Sequence, residues 1–379
     1  MTTLGTFHST TEIEHSVLNV LRSGRLSYGP VSKEYEKKFA DLHQCSQGIS
    51  TNSGTSSLVV IIQAMKELYG WDDGDEIIVP STTFVATVNA VLHCNLTPVL
   101  VDVEKDLYCI DVWLIEEKIT DRTRAIIPVH AFGMPADMPM VAEIANSHNL
   151  KVIEDSCECM YVEFNGLSVG AWGDAAAFST YAAHILVTGV GGMCTVRNNP
   201  ELAVKIRSLV NHGIDIQDLP SGDVYEQSFL GRRFRFNSIG HSFRVTEIES
   251  AIGIEGLRNF YDVLSARQSN ARMLSQLLSN VEELQLPSER MGTESSWMVY
   301  PVVVKNGSKH PLMIHLRKNG IESRDLLPLT NQPCYDFIDP AAYPVSQWLN
   351  HSGLYIGCHQ DITEEEIIYT SEVIKNFYA

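Results

Sequence analysis

Three segments carry side chains able to bind an anion or to exchange protons. Residues 51–57 (Thr-Asn-Ser-Gly-Thr-Ser-Ser) precede an apolar helical run, so their N–H groups converge on a helix N-terminus, where the dipole stabilises a phosphate. Asp155 ends a strongly apolar stretch, where its carboxylate could pair with a protonated heterocyclic nitrogen or cap a helix. His184 precedes a glycine-rich segment at 188–193, and an imidazole with a pKa of about 6.5 moves protons near neutral pH. Serine and threonine are common helix caps, so the first segment also has a purely structural interpretation.

The elements that would position these residues alternate between β-branched apolar runs and amphipathic segments. This order predicts a mostly parallel sheet covered by helices, which is an α/β fold. The predicted strands are 76–79, 97–102, 125–129 and 152–155. The predicted crossover helices begin near Ser56, Thr83, Val112 and Met138.

The second half of the chain has a different texture. Apolar residues at helical spacing predict one long helix over 246–278. A strand at 299–304, a helix at 311–318 and a terminal helix at 364–377 follow it. We therefore expect a large α/β domain over residues 1–257 and a smaller α+β domain over 258–379.

Composition excludes several classes of partner. The 379 residues carry a formal charge of −18, which disfavours nucleic acid and anionic lipid as ligands. No run approaches the roughly 20 apolar residues of a membrane helix, and the N-terminus lacks a secretory signal, so we expect a cytoplasmic protein. Cys157 and Cys159 are the closest pair of the eight cysteines. Without further ligands at suitable spacing, they predict small core residues and no metal site.

The ordered motifs of the chain resemble those of the DegT/StrS-type sugar aminotransferases, which are fold-type I pyridoxal phosphate enzymes. The resemblance implies a large, mostly parallel sheet domain with helices on both faces, followed by a smaller C-terminal domain. It covers nearly the whole sequence. Its motifs lie at residues 29–30, 54–55, 74–80, 101–103, 130–133, 154–155, 170–184, 211–213 and 244–247.

Position by position, the resemblance implies a set of cofactor contacts. Gly54 and Thr55 would hold the cofactor phosphate through backbone amides, and Ser179 would add its hydroxyl. Asp155 would pair with the pyridinium nitrogen, which keeps the ring an electron sink.

Two further positions match residues that contact the cofactor ring in the family. Phe84 matches the aromatic that stacks on the ring, although a core aromatic is the alternative. Glu158 occupies a position, usually Gln or His, on the side of the ring hydroxyl.

The subunit interface and the sugar pocket are less well matched. Residues 240–244 read Gly-His-Ser-Phe-Arg where the family has Gly-Tyr-Asn-Tyr-Arg, so Ser242 replaces an asparagine that reaches the neighbouring subunit's phosphate. The arginines within 232–235 would meet substrate phosphates or lie in a solvated loop. His212 and Arg324 match positions near the sugar pocket, and a structural hydrogen bond is an equal alternative for His212.

His184 is the main departure from the family. The aminotransferases place there the lysine that joins the cofactor covalently, and imidazole cannot form that link. The cofactor would therefore be held non-covalently as pyridoxamine 5′-phosphate, with pyridoxal 5′-phosphate as its other form. Histidine at this position, together with residues 357–360 (Gly-Cys-His-Gln), resembles the family's branch of 4-keto-6-deoxy-mannose 3-dehydratases.

The resemblance thus implies a dehydratase that acts on a small-molecule keto-sugar, nucleotide-linked or free, in deoxysugar biosynthesis. His184 would be its acid and base, and glutamate its amino donor. The family also implies a homodimer with the active site at the subunit interface. Two alternatives stay open: a glutamate-dependent sugar aminotransferase with the lysine replaced at His184, and a regulator or scaffold that keeps the fold.

Overall fold

The computed structural model describes residues 2–5, 7–215, 235–327 and 329–379. The first part of the chain builds a sheet, and a short hairpin lies beside it. The strands are β1 (Gln47–Thr51), β2 (Glu76–Pro80), β3 (Thr97–Val101), β4 (Thr123–Ile126), β5 (Lys151–Asp155), β6 (Glu163–Phe164), β7 (Leu167–Ser168), β8 (Ala175–Ser179) and β9 (Gly192–Val196).

Among the described residues, the large sheet has seven strands in the order β1-β9-β8-β5-β4-β2-β3. Strands β8, β5, β4, β2 and β3 run parallel to one another, whereas β9 is antiparallel to both β1 and β8. Strands β2 and β8 are buried along their whole length, because helices cover both faces of a parallel sheet. The predicted α/β fold is confirmed.

Helices form a layer on each face of this sheet. Helices α3, α4 and α6 pack with one face in a core cluster, and α2, α5 and α7 pack with the other. Polar side chains cap the N-termini of three of these helices: Ser53 caps α3, Asp137 caps α5 and Asn199 caps α6. The helices are α1 (Thr11–Ser23), α2 (Pro30–Leu42), α3 (Gly54–Tyr69), α4 (Val85–His93), α5 (Met138–Ser147), α6 (Pro200–Val210) and α7 (Glu247–Arg258).

The rest of the chain forms a smaller sheet with helices packed around it. Its strands are antiparallel and follow the order β10-β11-β13-β12. Of the helices in the described ranges, none is both long and apolar enough to cross a membrane. The elements are α8 (Phe260–Leu278), β10 (Leu284–Gln285), β11 (Tyr300–Val304), α9 (His310–Lys318), β12 (Ser323–Asp325), α10 (Pro344–Ser352), β13 (Gly353–Ile356) and α11 (Glu364–Tyr378). The division into domains at residues 257 and 258 stays a prediction.

Two predicted helices differ from the observed ones. The long helix over 246–278 is divided at Asn259 into α7 and α8, and Asn259 caps the end of α7 with non-helical backbone angles. The crossover helix near Val112 is wrong, because only two short 3₁₀ turns occur there. A bridge between Val103 and Ile110 uses the first part of this connection.

A buried carboxylate at the end of β5 fixes the loops around the carboxyl edge of the sheet. Glu154 is fully buried and accepts hydrogen bonds from the backbone N–H groups of Gly170, Trp172 and Gly173 at 2.7–2.8 Å. Nε2 of His130 lies 3.0 Å from Oε2 of Glu154, and Nδ1 of His130 accepts from the Ala136 N–H. His130 therefore donates through Nε2 and has a structural role.

We predict that Glu154→Gln destabilises the fold, because the amide group would turn a donor toward a site lined with donors. Breaking such a buried network costs about 3–5 kcal/mol of unfolding free energy. Urea denaturation of the variant would measure the loss, and Glu163→Gln at an exposed position is the matched control. Equal unfolding midpoints for the two variants would contradict this role of Glu154.

Candidate active site

The predicted phosphate-binding residues come together at the N-terminus of α3. A Cβ atom built on Gly54 would lie 2.6 Å from the Cys157 Sγ and 2.9 Å from the Cβ of Ser179. Ser53 caps the helix by accepting from the Ser56 N–H. Within the described parts of the chain, the N–H groups of Gly54 and Thr55 have no hydrogen-bond acceptor. These free N–H groups at a helix N-terminus can bind a phosphate.

Ser179 ends β8 beside this helix terminus and is buried. Its Oγ atom accepts a hydrogen bond from the Tyr181 N–H at 3.4 Å. A hydroxyl that accepts in this way keeps its own hydrogen for donation. Ser179 can therefore donate to an anion held at Gly54.

Asp155 ends the neighbouring strand β5 and is almost fully buried. Its Oδ2 atom accepts from the Thr87 hydroxyl at 2.7 Å, and its Oδ1 atom accepts from the Cys157 N–H at 3.2 Å. These two donors satisfy and hold the buried carboxylate. A carboxylate held in this way can pair with a protonated ring nitrogen.

Phe84 precedes the helix that carries Thr87, and Glu158 is close enough to Asp155 for their charges to interact. The Phe84 ring is 59% exposed at the start of α4, which leaves an aromatic face free for stacking on a ligand. Oε2 of Glu158 accepts from the Phe132 N–H at 2.7 Å. Burial raises the pKa of Glu158 to about 7, the charge of Asp155 adds to the rise, and the bond from Phe132 opposes it. Glu158 can therefore carry a proton near neutral pH.

His184 lies in the loop that joins β8 to β9. The hydroxyls of Thr180 and Thr188, 2.6 Å apart, close the base of this loop. Nδ1 of His184 is buried and has no hydrogen-bond partner among the residues that the structure describes. Burial lowers the pKa of His184 to about 4, the backbone of Tyr181 opposes this, and the positive charge of Arg267 lowers it further. The imidazole is therefore neutral at physiological pH and available as a base.

Ser242 and His212 form one group with an arginine. Nη2 of Arg244 donates to Ser242 Oγ at 2.9 Å and to His212 Nε2 at 3.1 Å. The Asn52 N–H, just before α3, donates to the carbonyl of Phe243 at 2.7 Å. The group thus adjoins the phosphate-binding end of α3. The contact of Ser242 with a neighbouring subunit's phosphate stays a prediction.

The other predicted substrate-binding residues are not joined to this site by the described contacts. Arg324 lies on β12 and donates to Glu322 at 2.8 Å within the small sheet. The arginines predicted at 232–234 lie outside the described residues. Arg235 pairs with Asp215, with 3.4 Å between Nε and Oδ2.

Sequence analysis missed two residues that act on the site. Thr87 holds Asp155, and its position one turn after Phe84 on α4 could have indicated a shared face. Arg267 is buried in α8 and donates to the carbonyls of Trp297 and Met298. No sequence signal placed Arg267 near His184, because the two belong to distant parts of the chain.

The residues present fit a phosphorylated pyridine cofactor. The close approach at Gly54, the buried carboxylate Asp155 and the exposed ring of Phe84 suit the phosphate, the ring nitrogen and the ring face, respectively. Nδ1 of His184 is a buried polar atom that still needs a partner. The described residues contain no group of three or more His, Cys, Asp or Glu side chains that could hold a metal ion.

The sequence model of the DegT/DnrJ/EryC1/StrS aminotransferase family matches residues 8–375, so the resemblance stated above is confirmed. The chain is 34% identical to a GDP-perosamine synthase of Caulobacter vibrioides, over 90% of this chain and 88% of that protein. It is 27% identical to a GDP-4-keto-6-deoxy-D-mannose 3-dehydratase of Yersinia pseudotuberculosis, over 96% of this chain and 94% of that protein. The solved structure of the E. coli GDP-4-keto-6-deoxy-D-mannose-3-dehydratase with bound hydrated PLP superposes with a TM-score of 0.91 at 26% identity, covering 99% of each chain.

We predict that Gly54→Ala destabilises the protein by about 1–3 kcal/mol, because the added methyl overlaps Cys157 Sγ and Ser179. The double variant Gly54→Ala/Cys157→Ala makes room for that methyl and should recover part of the loss. Urea denaturation without cofactor measures both effects. If Cys157→Ala added to the loss instead of relieving it, the close packing at Gly54 would be wrong.

We also predict that His184 stays neutral between pH 5 and pH 7. The pKa of His184 is about 4 in the fold and about 6.5 in the unfolded chain. The unfolded chain therefore takes up the proton first, and the free energy of unfolding falls as the pH drops from about 6.5 to about 4. Nuclear magnetic resonance of ¹⁵N-labelled histidines measures the protonation, and the signal lost in His184→Asn assigns the resonance. A protonated His184 at pH 6 would contradict the prediction.

Proposed function

Because this chain belongs to the DegT/DnrJ/EryC1/StrS aminotransferase family, we propose that it is a pyridoxamine phosphate-dependent 3-dehydratase of a nucleotide-linked 4-keto-6-deoxy-hexose. The observation that carries the proposal is His184, a neutral buried imidazole where the family's aminotransferases have an amine. Dehydration needs a proton carrier at this position and needs no covalent anchor.

The proposed cofactor contacts follow from the geometry at the carboxyl edge of the sheet. Gly54, Thr55 and Ser179 hold the phosphate, and Asp155 holds the protonated ring nitrogen. Phe84 stacks on the ring, and Glu158 faces the ring hydroxyl. When bound, pyridoxamine phosphate supplies an amine that condenses with the keto group and a ring that accepts electrons.

His184 carries the proton through the proposed elimination. The neutral imidazole accepts a proton from the carbon that bears the cofactor's amine, which makes it the general base. The imidazolium then donates this proton to the departing hydroxyl at carbon 3, which leaves as water. Return of His184 to the neutral state is favourable, because burial opposes its charged form.

The overall reaction balances with glutamate as the amino donor. One keto-sugar and one glutamate give one deoxy-sugar, one 2-oxoglutarate and one ammonia. Carbon 3 loses its oxygen as water, one water supplies the keto oxygen of 2-oxoglutarate, and glutamate supplies the two electrons for deoxygenation. A protein of charge −18 would bind the sugar nucleotide through local cations, of which Arg244 adjoins the site.

Two relatives support this proposal. The E. coli and Yersinia pseudotuberculosis proteins are named as 3-dehydratases and match nearly the full chain. We further infer a cytoplasmic homodimer in deoxysugar or lipopolysaccharide biosynthesis, with Ser242 of each subunit facing the other subunit's site. The exposed aromatic rings of Phe84 and Tyr181 beside the site suit such an interface.

A second candidate function is a glutamate-dependent sugar aminotransferase. It is favoured by the GDP-perosamine synthases among the relatives, including the Caulobacter vibrioides protein at 34% identity. In this case glutamate would supply the amino group, the keto-sugar would accept it, and His184 would move the protons. The two candidates differ in their products: the dehydratase releases a deoxy-sugar and ammonia, whereas the aminotransferase releases an amino-sugar.

We predict that the full chain with pyridoxamine phosphate, glutamate and a GDP- or TDP-linked 4-keto-6-deoxy sugar releases 2-oxoglutarate and ammonia in equal amounts. Enzymatic assays of both products measure the reaction, and mass spectrometry identifies the deoxy-sugar. His184→Asn should lower the rate by about 10²–10⁴-fold, the contribution of a general base.

His148→Asn is the matched control, because His148 is a surface histidine paired with Glu116. This variant should keep the full rate. Accumulation of a stable amino-sugar without ammonia would overturn dehydration and favour the aminotransferase. A full rate in His184→Asn would remove His184 from both candidate mechanisms.

A further inference from the structure

We propose that the small domain is coupled to the ring-binding carboxylate Asp155 through a buried chain of hydroxyl groups, in which Ser346 and Thr87 are positioning residues. The proposal rests on the cofactor site described above. It assigns a role to the 101–103 motif and to the loop before α4, which the proposed mechanism leaves without one.

The series of hydroxyl groups begins where helix α10 of the small domain meets the large sheet. Asp102 follows strand β3 and is almost fully buried. Its carboxylate accepts from the N–H groups of Val345 at 2.8 Å and Ser346 at 3.0 Å, and from the Ser346 hydroxyl at 2.9 Å. A carboxylate at the first turn of a helix is stabilised by the free N–H groups and the helix dipole. Asp102 therefore anchors α10 on the large domain.

The hydroxyl of Ser346 also contacts the loop that carries Phe84. Its Oγ lies 2.5 Å from the Oγ of Ser81 and 2.7 Å from the Oγ1 of Thr82. Ser81 also donates to Asp102 at 3.1 Å. Because Asp102 can only accept, Ser346 donates to it and is left to accept from Thr82.

The loop continues to Asp155 through two threonines. The hydroxyls of Thr83 and Thr87 are 2.8 Å apart, and Thr87 donates to Asp155 at 2.7 Å. Thr87 must donate to the carboxylate, so it accepts from Thr83. The hydroxyls of Thr82 and Thr83 share no hydrogen bond, so the two halves are joined through the backbone of these adjacent buried residues.

Burial makes this arrangement sensitive to small displacements. Ser81, Thr82, Thr83, Thr87 and Ser346 are all essentially inaccessible to solvent. A buried hydroxyl that loses its partner costs far more than an exposed one, and hydrogen bonds in series strengthen one another at low dielectric. A shift of α10 therefore moves the loop, and with it the donor to Asp155.

The consequence is a two-way coupling between the small domain and the cofactor. A group that binds the small domain and displaces α10 changes how tightly Asp155 and Phe84 hold the ring. By linkage, a bound ring changes the affinity of the small domain for that group by the same free energy.

A double-variant cycle on cofactor affinity tests this coupling. Ser346→Ala removes the hydroxyl at one end, and Thr87→Val removes the hydroxyl at the other end with little change of shape. Each single variant should weaken binding of pyridoxal phosphate by about 3- to 10-fold, the value of one hydrogen bond. If the hydroxyl groups couple the two positions, the double variant should bind pyridoxal phosphate no more weakly than the weaker-binding single variant does. Fluorescence titration without substrate measures each dissociation constant.

Ser352→Ala is the matched control, because Ser352 is also buried on α10 and its hydroxyl donates to Gly307 within the small domain. The losses of pyridoxal phosphate affinity caused by Ser352→Ala and Thr87→Val should multiply in the double variant. Multiplying losses for Ser346→Ala and Thr87→Val would overturn the coupling. Thr82→Val replaces Ser346→Ala in the cycle if thermal denaturation shows that the latter is unfolded. Failure of the parent protein to bind pyridoxal or pyridoxamine phosphate would overturn the proposed function itself, a result distinct from additivity.

Discussion

Adjacent carboxylates at the end of β5 organise the candidate site, because alternate side chains of a strand point to opposite faces of a sheet. Glu154 accepts hydrogen bonds from three backbone N–H groups of the 170–173 turn and from the imidazole of His130. Asp155 faces the other way and receives the Thr87 hydroxyl. One carboxylate therefore fixes the loops that surround the site, and its neighbour is left for ligand chemistry. A shift of one residue in this strand would exchange the two roles.

The global charge of the chain conflicts with its proposed ligands. A charge of −18 repels phosphates at long range, but this repulsion is screened by salt beyond about 8–10 Å. At short range the free N–H groups of Gly54 and Thr55, the Ser179 hydroxyl and the nearby Arg244 group dominate the local field. In the proposed site, anion binding thus depends on one helix terminus and its neighbours, and the net charge describes only the remaining surface.

The sequence predicts those parts of the site that depend on local pattern. The apolar run before Asp155 and the Ser-Gly-Thr segment at the start of α3 follow from local pattern and capping, whereas the role of Phe84 is implied only by the resemblance to the family. The division of the long helix at Asn259 escapes prediction, because apolar residues keep their helical spacing across it. The bonds from Thr87 to Asp155 and from Ser346 to Asp102 join positions 68 and 244 residues apart. Only tertiary packing creates such contacts, so no local pattern reports them.

The replacement of an amine by His184 changes what the rest of the site must supply. In the proposed site, which has no covalent anchor, contacts worth only about 0.5–3 kcal/mol each would hold the phosphate, the ring nitrogen and the ring face. The proton chemistry then depends on environments that set two groups apart: burial keeps His184 neutral with a pKa of about 4, and burial beside Asp155 raises the pKa of Glu158 to about 7. In the proposed mechanism His184 serves as both base and acid, and Glu158 can carry a proton beside the ring hydroxyl. Both properties arise from burial at the same edge of the sheet, where Glu154 and Asp155 fix the surrounding loops.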